Sequence, residues 1–190
     1  DARAVARAEA RAVEAQTLWQ GRFGWAVRSA AAFGPLAPQS PTGLVAHDTL
    51  SARINPRAAC AALAAALGAL GGVVRLGATG PLEGRVIWAN GVAGLAALSA
   101  DLSRAVGAEV KGQAALLAHA APDAPQIYAD GVLIVPQADG TVAVGSTSER
   151  SFARPFETDA LLDDLLIRAR ALCPALADAP VIERWAGLRP

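Results

Sequence analysis

The sequence has no methionine, one tyrosine, two histidines and two cysteines among its 190 residues, and only 18% of its side chains are charged. Cys60 and Cys173 lie far apart, with no second cysteine or histidine at ligand spacing, so neither a zinc site nor a disulfide framework is expected and both read as small hydrophobes. Seventeen basic residues balance seventeen acidic ones. Without a basic excess the chain lacks the electrostatic footprint of a nucleic-acid-binding protein. No uncharged apolar run reaches the roughly 18 to 20 residues that a bilayer span needs. The Ala-rich stretches are interrupted by Arg, Gly or Pro, and a soluble, cytoplasmic chain is expected. What is present in quantity is apolar: 53% hydrophobic residues, the profile of a globular chain with one core, or at most two small ones. The chain opens at Asp1 and stops at Pro190 directly after Trp-Ala-Gly-Leu-Arg, and these abrupt ends lead us to expect a fragment or an excised domain.

Periodicity and punctuation organise the chain. Residues 2–20, dense in Ala, Arg and Glu without Gly or Pro, predict a helix that stops near Gly21. Its Arg3, Arg7 and Arg11 share one face, read as solvated. Residues 23–32 and 43–47 are predicted strands around a proline-rich loop. Asn55 and Pro56 suit the cap and first position of a helix over residues 58–69, with Leu63, Leu67 and Leu70 on one face and Gly71-Gly72 as its stop. With a strand at residues 73–76, this stretch resembles a crossover unit. A glycine-rich connection (77–84), a short strand (85–89) and a helix over 92–106 follow. Strands are then predicted at 109–117, 126–129, 132–135 and 141–146, with Asp130-Gly131 and Asp139-Gly140 as tight turns. A last amphipathic helix (159–172) precedes a final strand at 181–186. The expected class is α+β, a mixed, largely antiparallel sheet covered by helices.

Candidate chemistry is sparse. His47 and His119 are the only histidines, and Gly145-Ser146-Thr147 lacks the flanking glycines of a nucleophile elbow, which argues against a hydrolase. His47-Asp48 reads as structural rather than as a base with its orienter. Asp163 and Asp164 are adjacent on a helix, point in different directions and cannot easily share a substrate. Neither a Gly-x-Gly-x-x-Gly after a strand nor a Gly-x-x-x-x-Gly-Lys-Ser/Thr is present, so no complete dinucleotide-binding unit is expected in these residues. Arg189, at the end of the last strand between Leu188 and Pro190, remains as a guanidinium suited to bidentate capture of a carboxylate.

Several segments then carry a resemblance. Trp185-Ala186-Gly187-Leu188-Arg189-Pro190, Lys111-Gly112-Gln113, Val132-Leu133-Ile134-Val135-Pro136 with Asp139-Gly140 and Val144-Gly145-Ser146-Thr147, Asn55-Pro56-Arg57, and Ala89-Asn90-Gly91 together resemble ordered motifs of the D-amino-acid oxidase and glycine oxidase family of FAD-dependent oxidoreductases. The resemblance implies a flavoprotein that oxidises an amine or amino acid, holding its carboxylate by an arginine and passing a hydride to FAD, with the cofactor carrying the hard step. It implies Arg189 as the carboxylate anchor, Tyr128 and Leu133 as substrate-facing residues, and Ala89, Asn90 and Gly91 near the flavin nucleotide. Leu133 stands where the family has a tyrosine. Segments that would hold the ADP part of FAD and cover the flavin ring are missing, and residues 77–91 are an abbreviated or junction segment. The chain, 1–190, is therefore expected to be a single domain or domain fragment, mainly the substrate-binding domain of a larger enzyme, inactive alone, whose partner is the FAD-binding domain of the same parent chain. The other reading is a non-catalytic binding module on the same scaffold. An exposed apolar patch is expected near Trp88, Gly91 and Arg189.

Overall fold

In the computed structural model, which describes residues 2–190, the Ala- and Arg-rich opening folds as α1 (Ala2–Leu18). Gln20 and Gly21 end it at φ 53° and 70°, a left-handed reversal that glycine adopts without strain. The Trp25 indole donates to the Ala8 carbonyl at 2.7 Å, tying the helix to β1 (Trp25–Ser29). β1 pairs antiparallel with β2 (Leu44–Asp48), from Trp25 opposite Asp48 to Ser29 opposite Leu44. The first strand is shorter than predicted, because Ala30–Phe33 coils into a 3₁₀ turn closed by Gly34 at φ 75°.

The chain divides into two compact units, one running up to Arg53 and again from Lys111 to Leu188, the other made of Ile54–Val110 with Arg189–Pro190. In the second unit α2 (Pro56–Ala69) starts as predicted, with the Asn55 side chain accepting from the Ala58 amide at 3.1 Å and Pro56 in the first turn. α3 (Gly91–Asp101) is shorter than residues 92–106, since the chain turns at Ser103 (φ 49°) and the Ser99 hydroxyl accepts from the Val106 amide at 3.2 Å. The strands predicted at residues 73–76 and 85–89 do not form, and with them goes the crossover unit. Each is a short apolar run between glycines in the left-handed region (Gly71, Gly77, Gly84), with no neighbouring strand to take its backbone groups. No residue of α2 or α3 is buried.

The first unit holds the core. Its second sheet runs in the order β4 (Ile127–Ala129), β5 (Val132–Pro136), β6 (Thr141–Gly145), β3 (Val110–Ala118), β7 (Val181–Arg189). The pairs β4–β5, β5–β6 and β6–β3 are antiparallel, and the Ala118 amide donates to the Pro180 carbonyl at 2.9 Å where β7 joins. Both Asp-Gly turns form: Asp130 and Gly131 take φ 50° and 76°, and Asp139 Oδ1 accepts from the Thr141 amide at 3.1 Å. Period-two alternation then sends Ala115, Leu117, Val132, Ile134, Val142 and Val144 to one buried face. α4 (Ala160–Leu172) covers that face with Leu162, Leu165, Leu166 and Ala169. The class is the expected α+β, with the last strand reaching three residues further than predicted.

Candidate functional site

The buried face of β3 begins with two polar side chains, Lys111 (1% exposed) and Gln113 (0%). Burial without partners would be costly, and the chain supplies them from two other segments. Lys111 Nζ lies 3.0 Å from Asp159 Oδ2 and 3.5 Å from Glu149 Oε2. Gln113 Nε2 donates to Glu149 Oε1 at 2.9 Å and to Asp159 Oδ1 at 2.8 Å, while its carbonyl accepts from the Asp159 amide at 2.8 Å. Thr147 Oγ1 also donates to Glu149. Asp159 caps α4 as well, accepting from the Leu161 amide at 3.1 Å. The hydrogen bonds from Gln113, Lys111 and the Leu161 amide hold the Asp159 carboxyl down at about 2. Burial works against the Glu149 carboxylate, but the bonds from Thr147 and Gln113 and the Lys111 charge outweigh it and the group is held low. Burial likewise opposes the Lys111 charge and is outweighed by Asp159 and Glu149, so the amine is held above its ordinary range. This network latches the start of α4 and the 147–149 segment onto β3, a positioning role. Its signal in the sequence is the alternation itself, which places Lys111 and Gln113 on the same face as Ala115 and Leu117.

The opposite face of the sheet carries Tyr128 and Leu133. They are register partners across β4 and β5, and Leu133 lies opposite Gly145 on β6. Both border a cavity of about 780 Å³ whose facing wall comes from β1, β2 and the loop between them. Trp25, Phe33 and Leu44 make that wall apolar, and His47 packs its ring on Phe33 at 4.9 Å between centroids. The Asp48 carboxylate accepts from the Leu50 and Ser51 amides at 3.0 and 2.6 Å and from the Ser51 hydroxyl at 3.1 Å. His47 and Asp48 both line the cavity. Arg53 also borders the cavity; its Nη1 donates to the Pro136 carbonyl at 2.7 Å and its Nη2 to that of Pro122. Sequence reasoning missed it, because an arginine in the loop before the α2 cap carries no pattern of its own. Asp163, one of the adjacent pair, is bound to Arg184 at 2.7 Å on the surface.

The other predicted residues belong to the second unit. Arg189 is the exposed last residue of β7. Ala89, Asn90 and Gly91 are exposed at the start of α3, and Trp88 is 71% exposed. No strand leads into this turn, and the Asn90 side chain crowds the place that a Cβ on Gly94 would take, so that position requires glycine. Among the described residues no cluster of His, Cys, Asp or Glu could hold a metal ion, and no helix is long and apolar enough to cross a membrane.

A protein-family description, DAO, FAD dependent oxidoreductase, matches residues 2–190. Glycine oxidase of Pseudomonas aeruginosa is 38% identical over 100 residues, which are 50% of this chain and 28% of that protein. Glycine oxidase of Pseudomonas putida is 39% identical over 100 residues, 50% of this chain and 27% of that protein. The crystal structure of glycine oxidase from Geobacillus kaustophilus superposes with a TM-score of 0.45 at 28% identity, over 54% of this chain and 28% of that one. The aligned region is thus little more than a quarter of these relatives' length.

Proposed function

Since the chain belongs to the DAO family of FAD dependent oxidoreductases, we propose that it is the substrate-binding part of an enzyme that oxidises an amine or an amino acid. The observation that carries this reading is the apolar cavity at the open sheet face, bordered by Tyr128 and Leu133. Similarity to glycine oxidases supports an amino-acid substrate. In this reading Tyr128 and Leu133 face the substrate, and Arg189, a residue of the second unit that does not line this cavity, is proposed as the carboxylate anchor. FAD is held mainly by the FAD-binding half of the same parent chain, with Ala89, Asn90 and Gly91 near the flavin nucleotide, and residues 77–91 are an abbreviated or junction segment. A cytoplasmic setting belongs to the same reading, in keeping with two free cysteines.

Two measurements test it. The chain by itself should show no tight, stoichiometric binding of FAD by absorbance titration; such binding would refute the division of labour. In the parent protein, glycine, sarcosine or a D-amino acid should bleach the flavin absorbance, and Arg189→Leu should raise KM roughly ten- to a hundredfold through loss of a charge-assisted contact. Absence of bleaching by any amine would favour the non-catalytic module, and an unchanged KM would remove Arg189 as the anchor.

A further inference from the structure

We propose that α1, β1 and β2 form a flap that swings over the face of β4–β5, hinged at Arg53 and latched by Leu36. The two strands of the flap pair only with each other, and neither joins the five-stranded sheet. α1 rides on β1 through the Trp25–Ala8 bond and the tilted rings of Trp19 and Trp25, 6.4 Å between centroids, so the three elements move as one body. Between this body and the sheet lies the cavity of about 780 Å³, a gap in place of a packed interface. Among the described residues of the first unit, three hydrogen bonds join residues 2–53 to residues 111–188: from the Gln39 amide to the Leu172 carbonyl at 2.7 Å, and from Arg53 to the Pro136 and Pro122 carbonyls.

The two ends of the flap are fixed differently. At the latch, Leu36 in the loop between β1 and β2 is 2% exposed and joins the buried cluster that holds the α4 leucines. That loop is bounded by Gly34 and Gly43 at φ 75° and 68° and stiffened by Pro35, Pro38 and Pro41, so Leu36 withdraws with its whole loop. At the hinge, Asp48 engages the Leu50 and Ser51 amides and fixes the turn after β2, and Arg53 grips two carbonyls just before the chain enters the second unit at Ile54. One leucine and one backbone bond make the latch, so releasing it costs far less than unfolding the unit, as in other gated sites. In the reading above the motion admits substrate to the cavity. That role rests on the oxidoreductase reading; the motion itself does not, and it is measured without substrate.

Distances between paired spin labels on the full chain test the flap. Val13→Cys on α1 and Ile167→Cys on α4 are exposed labelling positions, used in a Cys60→Ser background with Cys173 buried and unlabelled. The labelled chain should show one dominant distance. Leu36→Ala removes the plug and should raise the population at longer distance at least tenfold. Arg53→Met removes both hinge bonds, leaves the core untouched, and should raise it about tenfold as well. In both variants the ladder amides of β1 and β2 should stay protected from hydrogen exchange, while the Gln39 amide exchanges at least tenfold faster. A leucine that only fills the core would lower the melting temperature without moving the labels. Should Leu36→Ala fail to fold, Arg53→Met decides by the same two readings. The proposal is overturned if the distance stays single and unchanged in the folded variants, or if the β1–β2 amides lose protection together with Gln39, which is unravelling of the flap in place of a swing.

Discussion

Replacing Gln113 with Leu tests the latch between β3 and α4. Leucine is close in size and can keep the buried position, so the packing of the core face survives while three hydrogen bonds vanish: two donated to Glu149 and Asp159 and one accepted from the Asp159 amide. The Asp159 side chain is 49% exposed, so water replaces part of what it loses, whereas the Glu149 side chain is 9% exposed and its lost donor is not replaced. With bonds to charged groups contributing about 1.5 to 3 kcal/mol and a neutral one about 1, discounted for the wet partner, the loss in unfolding free energy comes to about 2 to 4 kcal/mol. Urea unfolding followed by far-ultraviolet circular dichroism measures it, with hydrogen exchange of the first turn of α4 as the local readout. A loss under about 0.5 kcal/mol, the range of ordinary surface substitutions, would refute the network's role. Gln113→Glu sharpens the test. It sets a third carboxylate beside Glu149 and Asp159 and should be worse than Leu at neutral pH, recovering as the pH falls toward about 4 and the added group takes up a proton.

Acid should act on the same network. Asp159 is held at about 2 against an ordinary 3.8, so the stability it contributes is fully present above about pH 4 and is lost as the pH falls toward 2; a melting temperature that stays flat from pH 5 to pH 2 would contradict this, and Gln113→Leu should flatten that slope. Cysteine labelling separates the two thiols, because burial pushes Cys173 up to about 11 while Cys60 is exposed. A thiol reagent near pH 8 should modify one cysteine per native chain and the second only on unfolding, and two fast equivalents would contradict the burial of Cys173 at the end of α4.

Where local patterns decide structure, the residues announced it. The Asn55-Pro56 cap, the two Asp-Gly turns and the leucine stripe of α4 each act over a few positions and formed as predicted. Strands 73–76 and 85–89 had the right composition and failed, because a strand exists only when another backbone takes its hydrogen bonds, and no partner edge is present for either. The site divides the same way. Tyr128 and Leu133 were named through the family resemblance, and the Asp130-Gly131 turn sets them opposite one another across β4 and β5. Arg53 was not, since what sets it apart is its carbonyl partners at Pro122 and Pro136, some seventy and eighty positions away. Glu149 and Asp159 were hidden for the same reason, although the buried polar pair on β3 demanded partners of their kind.

The strand order has a kinetic consequence. β4, β5 and β6 follow one another through tight turns, so their pairing closes only short loops and should come early in folding. β3 meets β6 only after the chain between them is in place, and β7 must return from beyond α4 to reach Ala118. The Gln113 network joins β3 to the start of α4 and so belongs to the late, long-range part of that order. Loosening it should then shorten the lifetime of the folded unit while leaving the rate of its formation almost unchanged.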